Sequence, residues 1–189
     1  EPFGEFPEGY ASYSSYYIAS NKGYHMIKKL AAYLEENGCR AIANPPLPAK
    51  AAAKRAGVGY FGKNGILHNN QYGSYMSLHM LLSDAEIPVE GTTDSLREDI
   101  SDCGSCRKCM DACPTGAIRE EGTVCLSRCV RNYMGSGGVV PEEIREKMGT
   151  RMLGCDICQN VCPWNRKKEA GKKQLSSENI EPFSILAFL

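Results

Sequence analysis

The chain lacks an excess of either charge, because its 22 basic residues are matched by 22 acidic ones. This balance gives no electrostatic reason to expect an anionic membrane or nucleic-acid partner. No apolar run approaches the roughly 18 residues of a membrane span. The most apolar stretch, residues 180–189, is short and contains Glu181 and Pro182. No signal peptide is recognisable at the start. We therefore expect a cytoplasmic globular protein with no membrane partner.

Cysteine, in contrast, is abundant: the chain has ten, and nine of them lie between residues 103 and 162. Secreted disulfide scaffolds reach this density, but they are smaller and carry a signal peptide. In an intracellular chain of 189 residues, clustered cysteines more often bind metal. The tenth, Cys39, stands alone on a predicted strand and is expected to be a small buried hydrophobe.

The cysteine spacing has the pattern of bacterial two-cluster ferredoxins. Three cysteines at two-residue spacing are followed by a fourth before a proline, as Cys103, Cys106, Cys109, Cys113 and Pro114. In this pattern three thiolates hold one 4Fe–4S cluster and the fourth ligates the other. Zinc ribbons use paired C-x2-C units, and three such close cysteines do not pair favourably as disulfides. The pattern therefore predicts 4Fe–4S clusters.

A repeat of this motif supplies a second set of ligands. CRKCMDACP, which starts at Cys106, recurs 49 residues later as CDICQNVCP. The predicted ligands of cluster one are Cys103, Cys106, Cys109 and, by crossing, Cys162. Those of cluster two are Cys155, Cys158 and Cys113. Since Met152 occupies the position equivalent to Cys103, the eighth ligand must be Cys125 or Cys129.

Composition divides the chain into three segments: residues 1–90, the cysteine module at 91–166, and a tail at 167–189. In the first segment we expect an irregular opening over 1–17, helices near 22–37 and 49–56, and strands at 39–43 and 76–82. The glycine-rich stretch 57–65 is expected to be an irregular loop where the backbone approaches another group closely. A polar linker is expected over 84–101, and a short helix between Pro141 and Gly149.

Five motifs, in this order, resemble the epoxyqueuosine reductase family. They are AAAKRAGVGYFGKNG, YGSYMSLHMLLSD, DCGSCRKCMDACPTGAI, CLSRC and GCDICQNVCPWN. These enzymes of queuosine biosynthesis depend on cobalamin and are related to the reductive dehalogenases. The resemblance implies an α+β protein, in which a partial, N-terminally incomplete α/β domain of the cobalamin-binding type precedes a ferredoxin-like double 4Fe–4S module. It also implies that Cys125 is the eighth cluster ligand.

The resemblance further implies a cofactor and partners. The two clusters would pass electrons to a bound cobalamin, and the donor would be a protein such as ferredoxin or flavodoxin. The substrate would be small or linked to tRNA. No D-x-H-x-x-G motif is present, so the cobalt would lack a protein histidine, and His25, His68 and His79 are expected to be structural or solvent-facing. The implied cobalamin contacts are Lys63, Asn64, Gly65, Ser74, Ser127 and Asp156.

One residue departs from the family in a way that bears on catalysis. The family's proton-donating Asp precedes the alanine-rich helix, whereas this chain has Ala43 there and no carboxylate between Ala43 and Asp84. Because epoxide reduction needs a proton donor, we expect inefficient reduction of epoxyqueuosine. The catalytic residues and substrate are thus left unknown. The alternative is a non-catalytic, ferredoxin-type protein that reduces a corrinoid or a partner protein.

Overall fold

The computed structural model describes residues 9–14, 16–88, 103–134, 138–166 and 183–184. Most of the expected linker at 84–101 and of the expected tail at 167–189 therefore lies outside the described residues. The elements in chain order are β1 (Tyr10–Tyr13), α1 (Tyr16–Glu36), β2 (Ala41–Ala43), α2 (Ala49–Arg55), β3 (Tyr60–Phe61), β4 (Leu67–His68), β5 (Leu81–Ser83), α3 (Lys108–Asp111), a 3₁₀ turn (Leu126–Arg128), α4 (Val130–Tyr133), α5 (Glu142–Met148), β6 (Arg151–Leu153), α6 (Ile157–Asn160), α7 (Pro163–Arg166) and β7 (Phe183–Ser184).

The expected irregular opening over 1–17 is described from residue 9 on, apart from residue 15, and this part contains strand β1 and the start of α1, so the prediction was wrong there. β1 lies in the middle of a three-stranded sheet, parallel to β6 and antiparallel to β7. Its partners are far away in the sequence, so local composition could not reveal them. The first helix begins at Tyr16 rather than near residue 22, and the Tyr16 N–H donates to Ser14 Oγ at 3.2 Å. This contact satisfies one of the free N–H groups of the first helical turn.

The second sheet joins the two strands predicted in the first segment, and both strands are shorter than expected. β2 pairs antiparallel with β5, with Ala43 opposite Leu81. The strand predicted over 76–82 is limited to Leu81–Ser83. β2 ends at Ala43, and the residue that follows it, Asn44, has a left-handed φ of 48°. The predicted alanine-rich helix is confirmed as α2, and Gly57, at φ 70°, ends it as expected.

The glycine-rich stretch contains strand β3, so its prediction as fully irregular was wrong. β3 and β4 form a small antiparallel hairpin in which Tyr60 faces His68. The expected close approach is present, because a Cβ added to Gly59 would lie 2.2 Å from the His68 carbonyl oxygen. The backbone thus approaches its own hairpin partner.

In the cysteine module, two short helices within the repeated motifs pack together. α3 lies in the first motif and contains Cys109, and α6 lies in the second and contains Cys158. The predicted helix between Pro141 and Gly149 is confirmed as α5, with acidic residues in its first turn and basic residues in its last. Beside it, Val130, Met134 and Ile144 form a small buried core. In the part of the chain that is described, no helix is long and apolar enough to cross a membrane.

Candidate metal centres

Four thiols surround a cavity of about 230 Å³, called cavity one below. They come from the loop before α3, from α3 itself and from the connection between α6 and α7, and they are Cys103, Cys106, Cys109 and Cys162. All four are free cysteines. The structure therefore brings together the four residues that the crossed spacing assigns to cluster one.

A second set of four thiols lines a neighbouring cavity of about 50 Å³, called cavity two. These thiols are Cys113, Cys129, Cys155 and Cys158. Cys125, the ligand implied by the family resemblance, is not among the described lining residues. The 3₁₀ turn Leu126–Arg128 separates Cys125 from Cys129, and the Cys125 thiol lies 3.3 Å from Ser127 Oγ. The structure therefore places Cys129, and not Cys125, in the lining of cavity two, and the identity of the eighth ligand stays a prediction.

Burial is the main influence on the pKa of several of these thiols. It raises the pKa of Cys109, Cys158 and Cys162. For Cys113 burial acts in the same direction, but hydrogen bonds outweigh it and the pKa is lowered overall. One of these bonds runs from the Ala117 N–H to Cys113 Sγ at 3.3 Å. N–H donors of this kind also stabilise a thiolate that ligates a cluster.

The chemistry of the two cavities fits iron–sulfur clusters. Soft thiolates in sets of four are the ligands that 4Fe–4S clusters use. Among the described residues, no group of three or more His, Cys, Asp or Glu side chains is arranged to hold a single metal ion. The donor set fits one cluster in each cavity.

The two cavities differ in what else lines them. Cavity one is bordered by Lys63 and His68 from the β3–β4 hairpin, and by Lys108 and Trp164 from the cysteine module. Cavity two has mainly apolar neighbours, including Ile118, Val130 and Ile157. Asn64 borders both cavities, so they are adjacent. The hairpin therefore contacts both centres, although most of cavity two belongs to the cysteine module.

A buried hydrogen-bond network joins the hairpin side of the molecule to the second cysteine motif. Asn165, with no exposed surface, accepts from the Ser74 N–H at 2.8 Å and donates to Ser74 Oγ at 2.8 Å. Ser74 Oγ in turn donates to Gln159 Oε1 at 2.9 Å, and Gln159 Nε2 donates to Asp156 Oδ1 at 2.8 Å. Burial raises the pKa of Asp156. This network positions the loop around Ser74 against α6.

The six expected cobalamin contacts differ in their exposure and in their hydrogen bonds. Ser74 and Asp156 belong to the buried network, and Lys63 Nζ donates to the Gly104 and Cys106 carbonyls at 2.6 and 3.3 Å. Asn64 is buried, and its Oδ1 accepts from the Ile66 N–H at 3.2 Å. Of the six residues, Ser127 alone is exposed, and Gly65 is partly buried. Four of these side chains, those of Lys63, Asn64, Ser74 and Asp156, are thus hydrogen-bonded within the chain, and the six cobalamin contacts stay a prediction.

The position of the missing acid is well defined. Ala43 lies in β2, partly buried, and the next residue, Asn44, has its side chain occupied. Asn44 Nδ2 lies 3.1 Å from His79 Nδ1, and Asn44 Oδ1 accepts from the Met80 N–H at 3.0 Å. No carboxylate replaces the family's acid at this point of the strand.

The other residues singled out in the sequence have ordinary environments. His68 is buried and stacks on Tyr60, His79 is partly buried, and His25 is exposed, as expected for structural or solvent-facing histidines. Cys39 is partly exposed rather than buried. The role of Lys63 at the cysteine loop was missed, because nothing in the spacing links position 63 to position 104.

Comparison with known proteins supports a double 4Fe–4S module in the cysteine-rich part of the chain. Residues 102–165 match the family model described as a 4Fe–4S double cluster binding domain. The chain is 37% identical over 163 residues to an epoxyqueuosine reductase of Aliivibrio fischeri, covering 80% of this chain and 42% of the relative. It is 43% identical over 123 residues to that of Bacillus subtilis, covering 65% of this chain and 30% of the relative.

Solved structures give the same result. A crystal structure of selenomethionine-labelled epoxyqueuosine reductase matches with a TM-score of 0.64 and 29% identity, over 87% of this chain and 45% of that one. Another, of an epoxyqueuosine reductase with a modified tRNA stem loop, matches with a TM-score of 0.62 and 31% identity, over 87% and 42%. This chain, which spans less than half the length of these relatives, belongs to the epoxyqueuosine reductase-like family.

Proposed function

We propose that this protein is an iron–sulfur oxidoreductase that holds one 4Fe–4S cluster in each cavity and passes electrons singly between them. The observation that carries the proposal is the pair of adjacent cavities, each lined by four thiols. Cys113 and Cys162 cross over, since each is the last cysteine of one motif and lines the cavity of the other motif. Two clusters held this way are close neighbours, as in two-cluster ferredoxins.

The proposed ligands of cluster one are Cys103, Cys106, Cys109 and Cys162. Those of cluster two are Cys113, Cys129, Cys155 and Cys158. The choice of Cys129 over Cys125 is supported by the lining of cavity two. Cys125 instead contacts Ser127, whose hydroxyl lowers the pKa of the Cys125 thiol.

Iron analysis tests this proposal directly. Protein purified without oxygen should contain about eight irons and about eight acid-labile sulfides per chain, as two 4Fe–4S clusters require. Reduction by dithionite should then give the electron paramagnetic resonance signal of reduced 4Fe–4S clusters. About four irons per chain, or stoichiometric zinc, would contradict the proposal.

For the electron acceptor, we propose cobalamin, which supplies a redox-active cobalt when it is bound. This step rests on the family relationship and not on the six candidate contacts, four of which are hydrogen-bonded within the chain. The proposed electron donor is a ferredoxin or flavodoxin. The test is the visible spectrum of cobalamin titrated with protein without oxygen. A shift of the corrinoid bands that saturates at one equivalent supports binding, and an unchanged spectrum contradicts it.

A second candidate function is that of an electron carrier with no substrate of its own. It is favoured by Ala43 and by the engaged side chains of Ser74 and Asp156. Such a carrier would reduce free or partner-held corrinoid without binding it stoichiometrically. The spectral titration therefore separates the two functions, because a carrier accelerates the reduction of cobalamin by dithionite without a saturating one-to-one shift.

The substrate of the relatives is indicated by their name, epoxyqueuosine reductase, and one solved neighbour holds a modified tRNA stem loop. For this chain we propose inefficient epoxide reduction, because Ala43 cannot donate a proton. A positioned acid typically contributes about 10²–10⁴-fold in rate. Ala43→Asp should therefore raise the conversion of epoxyqueuosine in tRNA, measured by mass spectrometry. Turnover of the unaltered protein equal to that of a relative with the Asp would refute this proposal.

A further inference from the structure

Lys63 brings a positive charge from the β3–β4 hairpin to the wall of cavity one. Its Nζ donates to the Gly104 carbonyl at 2.6 Å and to the Cys106 carbonyl at 3.3 Å. Both carbonyls belong to the loop that carries Cys103 and Cys106, and Lys63 itself lines the cavity. The side chain is partly buried. The ammonium group is therefore held close to the space that a cluster would fill.

This charge is not paired with a carboxylate in the described part of the chain. The ion pairs there involve Arg40, Arg107 and Arg145, and none involves Lys63. Its two acceptors are neutral carbonyls, which leave the positive charge uncompensated. Partial burial also reduces screening by water and salt. The field of Lys63 thus acts mainly on cavity one.

Other lysines nearby are less well placed. Lys108 also borders cavity one, but its side chain is exposed, and no hydrogen bond among the described residues ties it to the cysteine loop. Lys50 Nζ donates to the Gly65 carbonyl at 3.2 Å in an exposed position and is not among the lining residues. The described lining of cavity two contains neither lysine nor arginine.

We infer that Lys63 is a positioning residue that raises the reduction potential of the cluster in cavity one above that of the cluster in cavity two. The inference rests on the proposed function, since it needs both clusters. On reduction, a cluster gains one electron from the reductant, no bond forms or breaks, and its negative charge increases by one. A nearby cation stabilises the more negative state, and cluster potentials depend on net charge and hydrogen bonding. Electrons would therefore collect on the cluster beside the hairpin.

Three substitutions separate charge from hydrogen bonding. Lys63→Arg keeps the charge, Lys63→Gln keeps a donor without charge, and Lys63→Met loses both. Each variant is purified without oxygen, analysed for iron, and titrated with dithionite and redox mediators while paramagnetic resonance follows the two clusters. Lys50→Met is the matched control, because it removes a lysine that donates to Gly65, in the hairpin loop that carries Lys63, but that is not among the lining residues of cavity one.

In the Gln and Met variants we expect the equilibrium constant for one-electron reduction of one cluster to fall about tenfold. For a one-electron couple this is a shift of about 59 mV to more negative potential. The other cluster should shift far less, and the Arg variant and Lys50→Met should match the unaltered protein. The iron content should stay at about eight per chain in every variant.

Several results would overturn the inference. Unchanged potentials in iron-replete Gln and Met variants would show that the charge has no effect. An equal shift in Lys50→Met would show that the effect is not specific to Lys63. Loss of half the iron in both uncharged variants, with the Arg variant intact, would show that Lys63 only fastens the cysteine loop. Failure of the proposed function is distinguishable, because the unaltered protein itself would then lack two clusters.

Discussion

Cavity one and cavity two are built from the same repeated motif but have different surroundings. Cavity one lies where the β3–β4 hairpin meets the cysteine module, and its wall includes Lys63 and His68. Cavity two lies mostly within the module, beside the small core that contains Val130. Its thiols include Cys158, whose pKa is raised by burial. The repeat supplies the ligands, and the neighbouring elements supply the electrostatic difference.

This difference indicates how one motif can serve two redox roles. Thiolates in an apolar environment disfavour added negative charge, whereas a cation in the wall favours it. The N-terminal half therefore modifies cavity one without supplying a ligand. The hairpin contributes Lys63 and His68 to the wall of cavity one alone and Asn64 to both cavities, and the rest of cavity two is mostly apolar.

The largest expected effect comes from replacing, one at a time, the two cysteines on either side of the 3₁₀ turn. Cys129→Ser removes a proposed ligand of cavity two and should lower the iron content from about eight to about four per chain. Cys125→Ser should keep about eight, because Cys125 is outside the described lining of either cavity. Iron and sulfide analysis of both variants provides the measurement. The reverse pattern would restore Cys125 as the ligand and contradict the geometry.

These two cysteines also show what the sequence could and could not predict. The repeat predicted the crossed sets, because fixed spacing places thiolates around a cluster whatever the rest of the fold does. It could not choose between Cys125 and Cys129, because the choice depends on the turn Leu126–Arg128, a local conformation without a strong sequence signal. Likewise, helix α2 followed from its alanines, whereas β1 depends on partners near residues 151 and 183.

A smaller effect is expected where the two halves are joined. Asn165→Ala removes hydrogen bonds to Ser74 and leaves the buried Ser74 N–H without a partner. We expect a loss of about 1–3 kcal/mol in the free energy of unfolding. Since cavity one spans this junction, its cluster should also bleach first in air, and the cluster of cavity two later. Urea unfolding and absorbance decay measure the two effects.

The matched control for this substitution is Asn21→Ala, at an exposed position of helix α1. Alanine favours helix, so the free energy of unfolding should stay the same or rise by up to about 0.7 kcal/mol. An equal loss in both variants would show that the Asn165 network adds nothing. Simultaneous bleaching of both clusters in Asn165→Ala would show that the junction does not protect cavity one selectively.

A third, smaller effect concerns pH and again separates the cavities. Burial lowers the pKa of His68 at cavity one, whereas the described lining of cavity two has no histidine or carboxylate. In the unfolded chain the His68 imidazole takes up a proton near pH 6.5, whereas in the folded chain it does so only at lower pH. The free energy of unfolding should therefore fall as the pH drops below about 6.5. His68→Gln should flatten this part of the stability profile, measured by urea unfolding between pH 5 and 8. An unchanged slope would mean that His68 does not cause it.

The smallest effect is expected far from both cavities, at the exposed ion pair between Arg40 and Asp84. Arg40 Nε lies 2.7 Å from Asp84 Oδ2, and the hydrogen bond from Arg40 lowers the pKa of Asp84. A lowered carboxyl pKa stabilises the fold above the unfolded value of about 3.9, and this contribution is lost as pH falls further. Because both groups are exposed, water and salt screen the pair. Asp84→Asn keeps an oxygen that can accept from the Arg40 N–H. It should therefore change the free energy of unfolding at pH 7, measured with urea, far less than Asn165→Ala does. The change should vanish in high salt. A salt-independent loss as large as that of Asn165→Ala would show that the β2–β5 edge, and not the junction at cavity one, limits the stability of the protein.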